Sequence, residues 1–157
     1  MSPDKSHVIA AILAELTESL LAVERTAAMA RDETTSGETR AEGKYDTRAT
    51  EASYLALGQA GRIADLREQV AWFAQVGEGV PTDRVGPGAL VRLEGDQQET
   101  VYLAPVGGTR VEVDGMLVRV ISLASPLGQA MAGLEAGDGF EVETPRGKLN
   151  LEVVSVS

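Results

Sequence analysis

The chain has 157 residues, enough for one ordinary domain or two small ones, and its hydrophobic and charged fractions of 43% and 24% exclude wholesale disorder. It has no cysteine and a single histidine, His7, which removes disulfides, cysteine zinc sites and any catalytic set needing a second imidazole. The net charge of −10 argues against binding duplex DNA through a broad basic face, because such binding neutralises phosphates with Lys and Arg.

The stretch Met1-Ser2-Pro3-Asp4-Lys5 lacks the basic start, apolar run and cleavage pattern of a secretory leader. No uninterrupted apolar run reaches the roughly 18 residues of a bilayer span, so a cytoplasmic protein without membrane attachment is expected. Ser2 and Pro3 form a plausible cap and first-turn pair for a helix in which His7 is a solvated residue. Ile9, Leu13, Leu16, Leu20, Val23, Ala27 and Ala30 then follow the alternating four–three spacing of a coiled-coil seam, a helix of roughly 27 residues. The pattern stops at Arg31. Residues 32–43 are polar, hold two glycines and have no apolar period, which reads as a loop.

The same spacing resumes with Tyr45, Ala49, Ala52, Ala56, Gln59, Ile63, Leu66, Val70 and Phe73. Two matching seams joined by a short link predict an antiparallel hairpin. Its seam is graded from Ile, Leu and Phe at one end to Ala near the turn, which predicts closer helix axes toward the tip. Gly58 and Gly61 interrupt the second helix, either for a close backbone approach or for a bend, and Gly77, Gly79 and Pro81 end it.

Beyond the boundary near 77–87 the period changes. Short β-rich runs at 89–93, 100–104, 117–121, 139–144 and 148–156 are separated by turn signals such as Gly107-Gly108, Asp114-Gly115 and Gly137-Asp138-Gly139. Their alternation predicts an antiparallel sheet with one buried face. Residues 126–134 suit a short helix, with Ser125 as cap, Pro126 in the first turn and Gly133 at the end. The fold class expected is α+β: an antiparallel coiled-coil hairpin over residues 1–78, and a β domain with one short helix over residues 79–157.

No Gly-rich phosphate loop and no Gly-x-Ser-x-Gly elbow is present. The chemistry-bearing stretch is the loop between the helices, where Asp32, Glu33, Glu38 and Glu42 stand against Arg40 alone. Carboxylates on a turn can ligate Mg²⁺, a hard cation that keeps several waters, although such a turn needs a partner to complete the site; a merely solvated acidic loop is the alternative.

Ser125-Pro126-Leu127-Gly128-Gln129-Ala130-Met131-Ala132-Gly133, then Glu135-Ala136-Gly137-Asp138, then Val142-Glu143-Thr144-Pro145-Arg146-Gly147 resemble, in that order, the C-terminal domain of the Gre transcript-cleavage and elongation factors. Gly61-Arg62-Ile63-Ala64-Asp65-Leu66 resembles the family's second hairpin helix. The resemblance implies an FKBP-like C-terminal domain that docks on RNA polymerase at the mouth of its secondary channel. Ser125, Pro126 and Leu127 match the docking positions, which also serve as a helix cap. It further implies a coiled coil reaching down the channel as a monomer, with acidic tip residues sharing Mg²⁺ with the polymerase and no stable cofactor of its own. On this reading the chain is an accessory regulator of transcription elongation and not an enzyme. The tip departs from the family's Asp-Leu-Ser-Glu-Asn pattern: acidic groups are present in another register, without the apolar residue between them. Channel insertion without cleavage, hence inhibition, is therefore the alternative outcome. Two other readings compete. A peptidyl-prolyl isomerase would need aromatics where this half offers only Tyr102 and Phe140, and a coiled-coil interaction protein could pair through Leu21, Leu55 and Leu57.

Overall fold

A computed structural model describes residues 3–38 and 45–157, with side chains throughout except at 32–38 and 45–56. In chain order the elements are α1 (Lys5–Glu38), α2 (Tyr45–Val76), β1 (Leu90–Gly95), β2 (Glu99–Ala104), β3 (Arg110–Val113), β4 (Met116–Ser122), α3 (Pro126–Met131), β5 (Gly139–Thr144) and β6 (Gly147–Val156). They form a helical hairpin followed by a β-rich domain with one short helix. By packing, the chain divides into two compact units, Met1–Glu15 with Phe73–Ser157, and Leu16–Trp72.

The N-terminal cap of α1 is Asp4, not the expected Ser2. Its Oδ1 accepts hydrogen bonds from the Ser6 amide at 2.9 Å and the Ser6 hydroxyl at 2.6 Å, and these bonds hold the Asp4 carboxyl below its ordinary range. A carboxylate is also the acceptor that the positive end of a helix favours. At its other end α1 continues to Glu38, so Asp32, Glu33 and Glu38 lie on helix and not in the expected loop. The lapse of apolar period after Arg31 marks the end of the seam; without a proline to break it, the backbone continues its own hydrogen-bond ladder. Glu42 lies outside the described residues, as do the side chains of the other three carboxylates.

In the Leu16–Trp72 unit the seam is as expected where side chains are described. Leu16, Ala27, Ile63 and Leu66 are buried, and Arg67 reaches Glu24 on the other helix at 3.1 Å. The side chains of Tyr45, Ala49, Ala52, Leu55 and Ala56 fall outside the described residues. Gly58 and Gly61 have no atoms outside their own helix within 4 Å of where a Cβ would stand, so neither serves a close approach. One helical stretch, Lys5–Arg31, is apolar enough by length and mean composition to cross a membrane, with a window hydropathy of 1.5, although it holds no uninterrupted apolar run of that length. Averaging over many alanines raises the mean across Glu15 and Glu18, which break the run itself.

The β domain is one six-stranded sheet in the order β3-β4-β2-β1-β6-β5. It is mixed, not antiparallel, because β2 and β4 are parallel, with Thr100 beside Val118 and Ala104 beside Ser122. The unexpected strand β3 makes this possible. It pairs with β4 through the Asp114-Gly115 turn, whose residues both have positive φ, 52° and 77°, and the returning β4 inserts beside β2. The other four pairings are antiparallel.

Both faces of the sheet are buried at its centre, against the single buried face expected. Val91, Leu93, Val101, Leu103, Ile121, Leu151 and Val153 form one core with Met131 of α3. On the other face Leu90, Tyr102, Val118 and Val120 are buried, and the ring of Phe73 from α2 lies 5.5 Å from that of Tyr102. Val8, Ile9 and Ile12 of the first turns of α1 are buried in the same unit. The Lys5 ammonium donates to the carbonyls of Val80 at 2.8 Å and Ser157 at 2.9 Å, tying the start of α1 to the segment after α2 and to the end of β6. That segment leaves α2 through Gly77 and Gly79, at φ 62° and 86°, values that favour glycine.

Gly61→Ala should raise the stability of the hairpin by about 1 kcal/mol, since the position is open and helical; urea unfolding followed by circular dichroism checks it. Burial pushes the Tyr102 phenol up to about 12 from 10.0. The folded state thus holds this proton more tightly than the unfolded chain does. The associated stability is complete below pH 10 and disappears as pH rises toward 12. Unfolding midpoints measured across that window should fall more steeply for the wild type than for Tyr102→Phe.

Candidate functional site

The site is built around the start of α3. Ser125, at φ −68° and ψ 157°, caps the helix, with its Oγ accepting from the Gly128 amide at 3.1 Å and donating to the Ser122 carbonyl at 2.6 Å. Pro126 follows in the first turn, where the missing amide hydrogen costs nothing. The helix is shorter than expected and ends at Met131, with Gly133 at φ 79° donating its amide to the Val85 carbonyl at 2.7 Å. Ser122 is pinned in turn, its hydroxyl donating to the Pro105 carbonyl at 3.1 Å and accepting from the Ala124 amide at 3.1 Å.

Two glycines allow this packing. A Cβ on Gly128 would collide with the Ser122 carbonyl and the Leu123 backbone, and one on Gly107 would stand 2.6 Å from the Ser122 amide nitrogen. The backbones of the β2–β3 loop, β4 and α3 are therefore in direct contact, which no side chain in those two places would permit.

Beside α3 this arrangement leaves an open groove of about 690 Å³, within the size range of ligand and peptide sites. Leu127, Ile121, Val142 and Leu149 give it an apolar floor. Its far wall is the β5–β6 turn, where the Thr144 hydroxyl donates to the Gly147 carbonyl at 2.7 Å. The three residues expected to dock, Ser125, Pro126 and Leu127, all line this groove. Arg110, Arg119 and Arg146 line it too, and sequence reading passed them over. The signal for the first was the alternation Arg110-Val111-Glu112-Val113 ahead of a turn, which marks a strand.

No aromatic side chain is among those lining the groove. Tyr102 is buried beneath Phe73 on the opposite face of the sheet, and Phe140 packs on the α3 core. The aromatic lining that an isomerase needs is missing from this cavity. Among the described residues no group of three His, Asp or Glu side chains could hold a metal ion. His7 Nδ1 lies 3.4 Å from Asp114 Oδ2 with both side chains exposed, an ordinary surface contact.

Ser125→Ala should destabilise the β domain by about 1 kcal/mol through loss of the cap. Gly128→Ala should cost more, since backbone must move to admit the methyl group; thermal unfolding of the two variants orders them.

Residues 80–157 match the family model of the transcription elongation factor GreA/GreB C-terminal domain. Transcription elongation factor GreA of Nitratidesulfovibrio vulgaris strain DP4 is 32% identical over 100 residues, covering 60% of this chain and 58% of that protein. GreA of Rickettsia felis is 34% identical over 98 residues, covering 61% and 59%. The matched part thus spans less than two thirds of the length of these curated relatives. The crystal structure of GreA factor homolog 1 (Gfh1) of Thermus thermophilus aligns over 94% of this chain and 95% of its own, at 22% identity and a TM-score of 0.38. A β-rich half that carries the Ser-Pro helix start, the Gly-Asp turn and the Thr-Pro-x-Gly turn in family order, and that matches the family model from residue 80 to the last residue, makes this chain a member of the GreA/GreB family.

Proposed function

We propose that the chain is a cytoplasmic, monomeric accessory factor that docks on RNA polymerase through the groove at Ser125, Pro126 and Leu127 and places its helical hairpin in the secondary channel without stimulating RNA cleavage. The observation that carries this reading is the joining of a Gre C-terminal domain to two helices of 34 and 32 residues. At 1.5 Å per residue each is about 50 Å long, an extended element suited to entering a channel. The C-terminal domain reads as FKBP-like, supported by its mixed sheet with one short helix against a face.

The preference for channel occupancy without cleavage rests on the tip. The family's Asp-Leu-Ser-Glu-Asn pattern is absent. The acidic groups stand in another register, without the apolar residue between them, and positions 32, 33 and 38 belong to helix α1. Stimulation through Asp32, Glu33, Glu38 and Glu42 is the second reading, favoured by the concentration of acidic residues there.

The purified chain should bind core RNA polymerase, and Ser125→Glu or Pro126→Gly should weaken that binding; full affinity in both variants removes the docking assignment. In a backtracked elongation complex the wild type should leave RNA cleavage unstimulated or slow it. Acceleration that disappears on neutralising Asp32 together with Glu33 would instead establish the second reading.

A further inference from the structure

Arg110 on β3 and Arg119 on β4 are direct cross-strand partners, so two guanidinium side chains leave the sheet side by side on one face. Like charges so placed destabilise a sheet. Only one of them is offset: Arg119 Nε lies 2.8 Å from Glu99 Oε1, although that buried nitrogen makes no aligned hydrogen bond. Arg110 is exposed and has no ion-pair partner among the described residues, and the same holds for Arg146 across the groove in the β5–β6 turn. The other acid on the rim, Glu143, faces Lys148 across that hairpin. In a chain of net charge −10, three of the six basic side chains of residues 81–157 thus line one groove, two of them unneutralised, above a floor of Ile121, Leu127, Val142 and Leu149.

We propose that the groove receives an acidic segment of the protein partner, one apolar side chain seated on the floor with flanking carboxylates held by Arg110 and Arg146. This deepens the docking reading above and rests on it. A guanidinium presents a planar fork that fits a carboxylate with two parallel hydrogen bonds, and it keeps its charge at any working pH. A nucleic-acid backbone fits less well. It is bound by neutralising a run of phosphates, and two free arginines beside an apolar floor, in an acidic protein, do not supply such a run. The apolar floor has no use for a phosphate and suits a leucine or similar anchor.

Two measurements test the proposal with the full chain. In the first, Arg110→Glu with Arg146→Glu should weaken binding to core RNA polymerase roughly tenfold or more, and wild-type affinity should fall with added salt. Both positions are exposed; the paired Arg110→Gln with Arg146→Gln variant, which should lose less, replaces the double charge reversal if that variant fails to fold. Wild-type binding that the double variant retains in full overturns this inference and leaves the docking reading standing. No binding by the wild type overturns the docking reading, and the second measurement then judges the groove alone. There, an amphipathic helical peptide of Glu and Leu should shift the amide resonances of Gly107, Gly108 and Gly147, and its Gln-for-Glu counterpart and a single-stranded RNA oligonucleotide should not. Equal shifts from the uncharged peptide, shifts from RNA alone, or none from the acidic peptide overturn the proposal.

Discussion

The burial of strand β2 on both sides organises the rest of the molecule. From Thr100 to Ala104 every residue is buried, so the strand holds a core on each face of the sheet. One core is closed by α3 and the other meets Phe73, near the end of α2. Strands buried on both faces read as continuous apolar runs, and Val101-Tyr102-Leu103-Ala104 is such a run. The start of α1 and the end of α2 thereby belong to the same packed unit as the sheet, and the boundary between units falls within the helices at Leu16 and Trp72.

The parallel pairing of β2 with β4 has a second consequence. To bring β4 alongside β2, the chain must cross over through β3 and return, and the β2–β3 loop then passes against the backbone of Ile121 and Ser122 at Gly107. Gly128 makes the matching approach from α3. The groove is what remains between these close contacts and the β5–β6 turn. Its floor is core side chains left partly uncovered at the edge of α3, and its rim is charged because β3 and the turn are at the periphery of the sheet. Apolar floor and basic rim are both products of topology.

Within the Leu16–Trp72 unit, stability depends on few buried seam residues. Leu16, Ala27, Ile63 and Leu66 are buried between exposed neighbours, supplemented by the Glu24–Arg67 ion pair, which is partly solvated and contributes modestly. Gly58 and Gly61 reduce helix stability without serving a contact.

The two helices, their seam at the positions whose side chains are described, the Ser125 cap, the Gly77 exit and the turns were legible from the amino-acid sequence, because each is set by interactions within a few residues: the 3.6-residue period, a side chain bonding a nearby amide, a glycine at positive φ. The family was legible for the same reason, as its markers are turns and a cap. Asp4 in place of Ser2 was a local competition between two good caps that local rules rank poorly. The rest was decided by contacts distant in sequence. Whether 110–113 becomes a strand depends on β4 finding β2, and the parallel register of that pair costs loop closure that no local pattern records. Arg110, Arg119 and Arg146 come from three separate segments, and only the folded sheet brings them to one groove. The second buried face likewise follows from Phe73 of α2 packing on Tyr102, 29 residues further along the chain, an event of packing that composition and period cannot express.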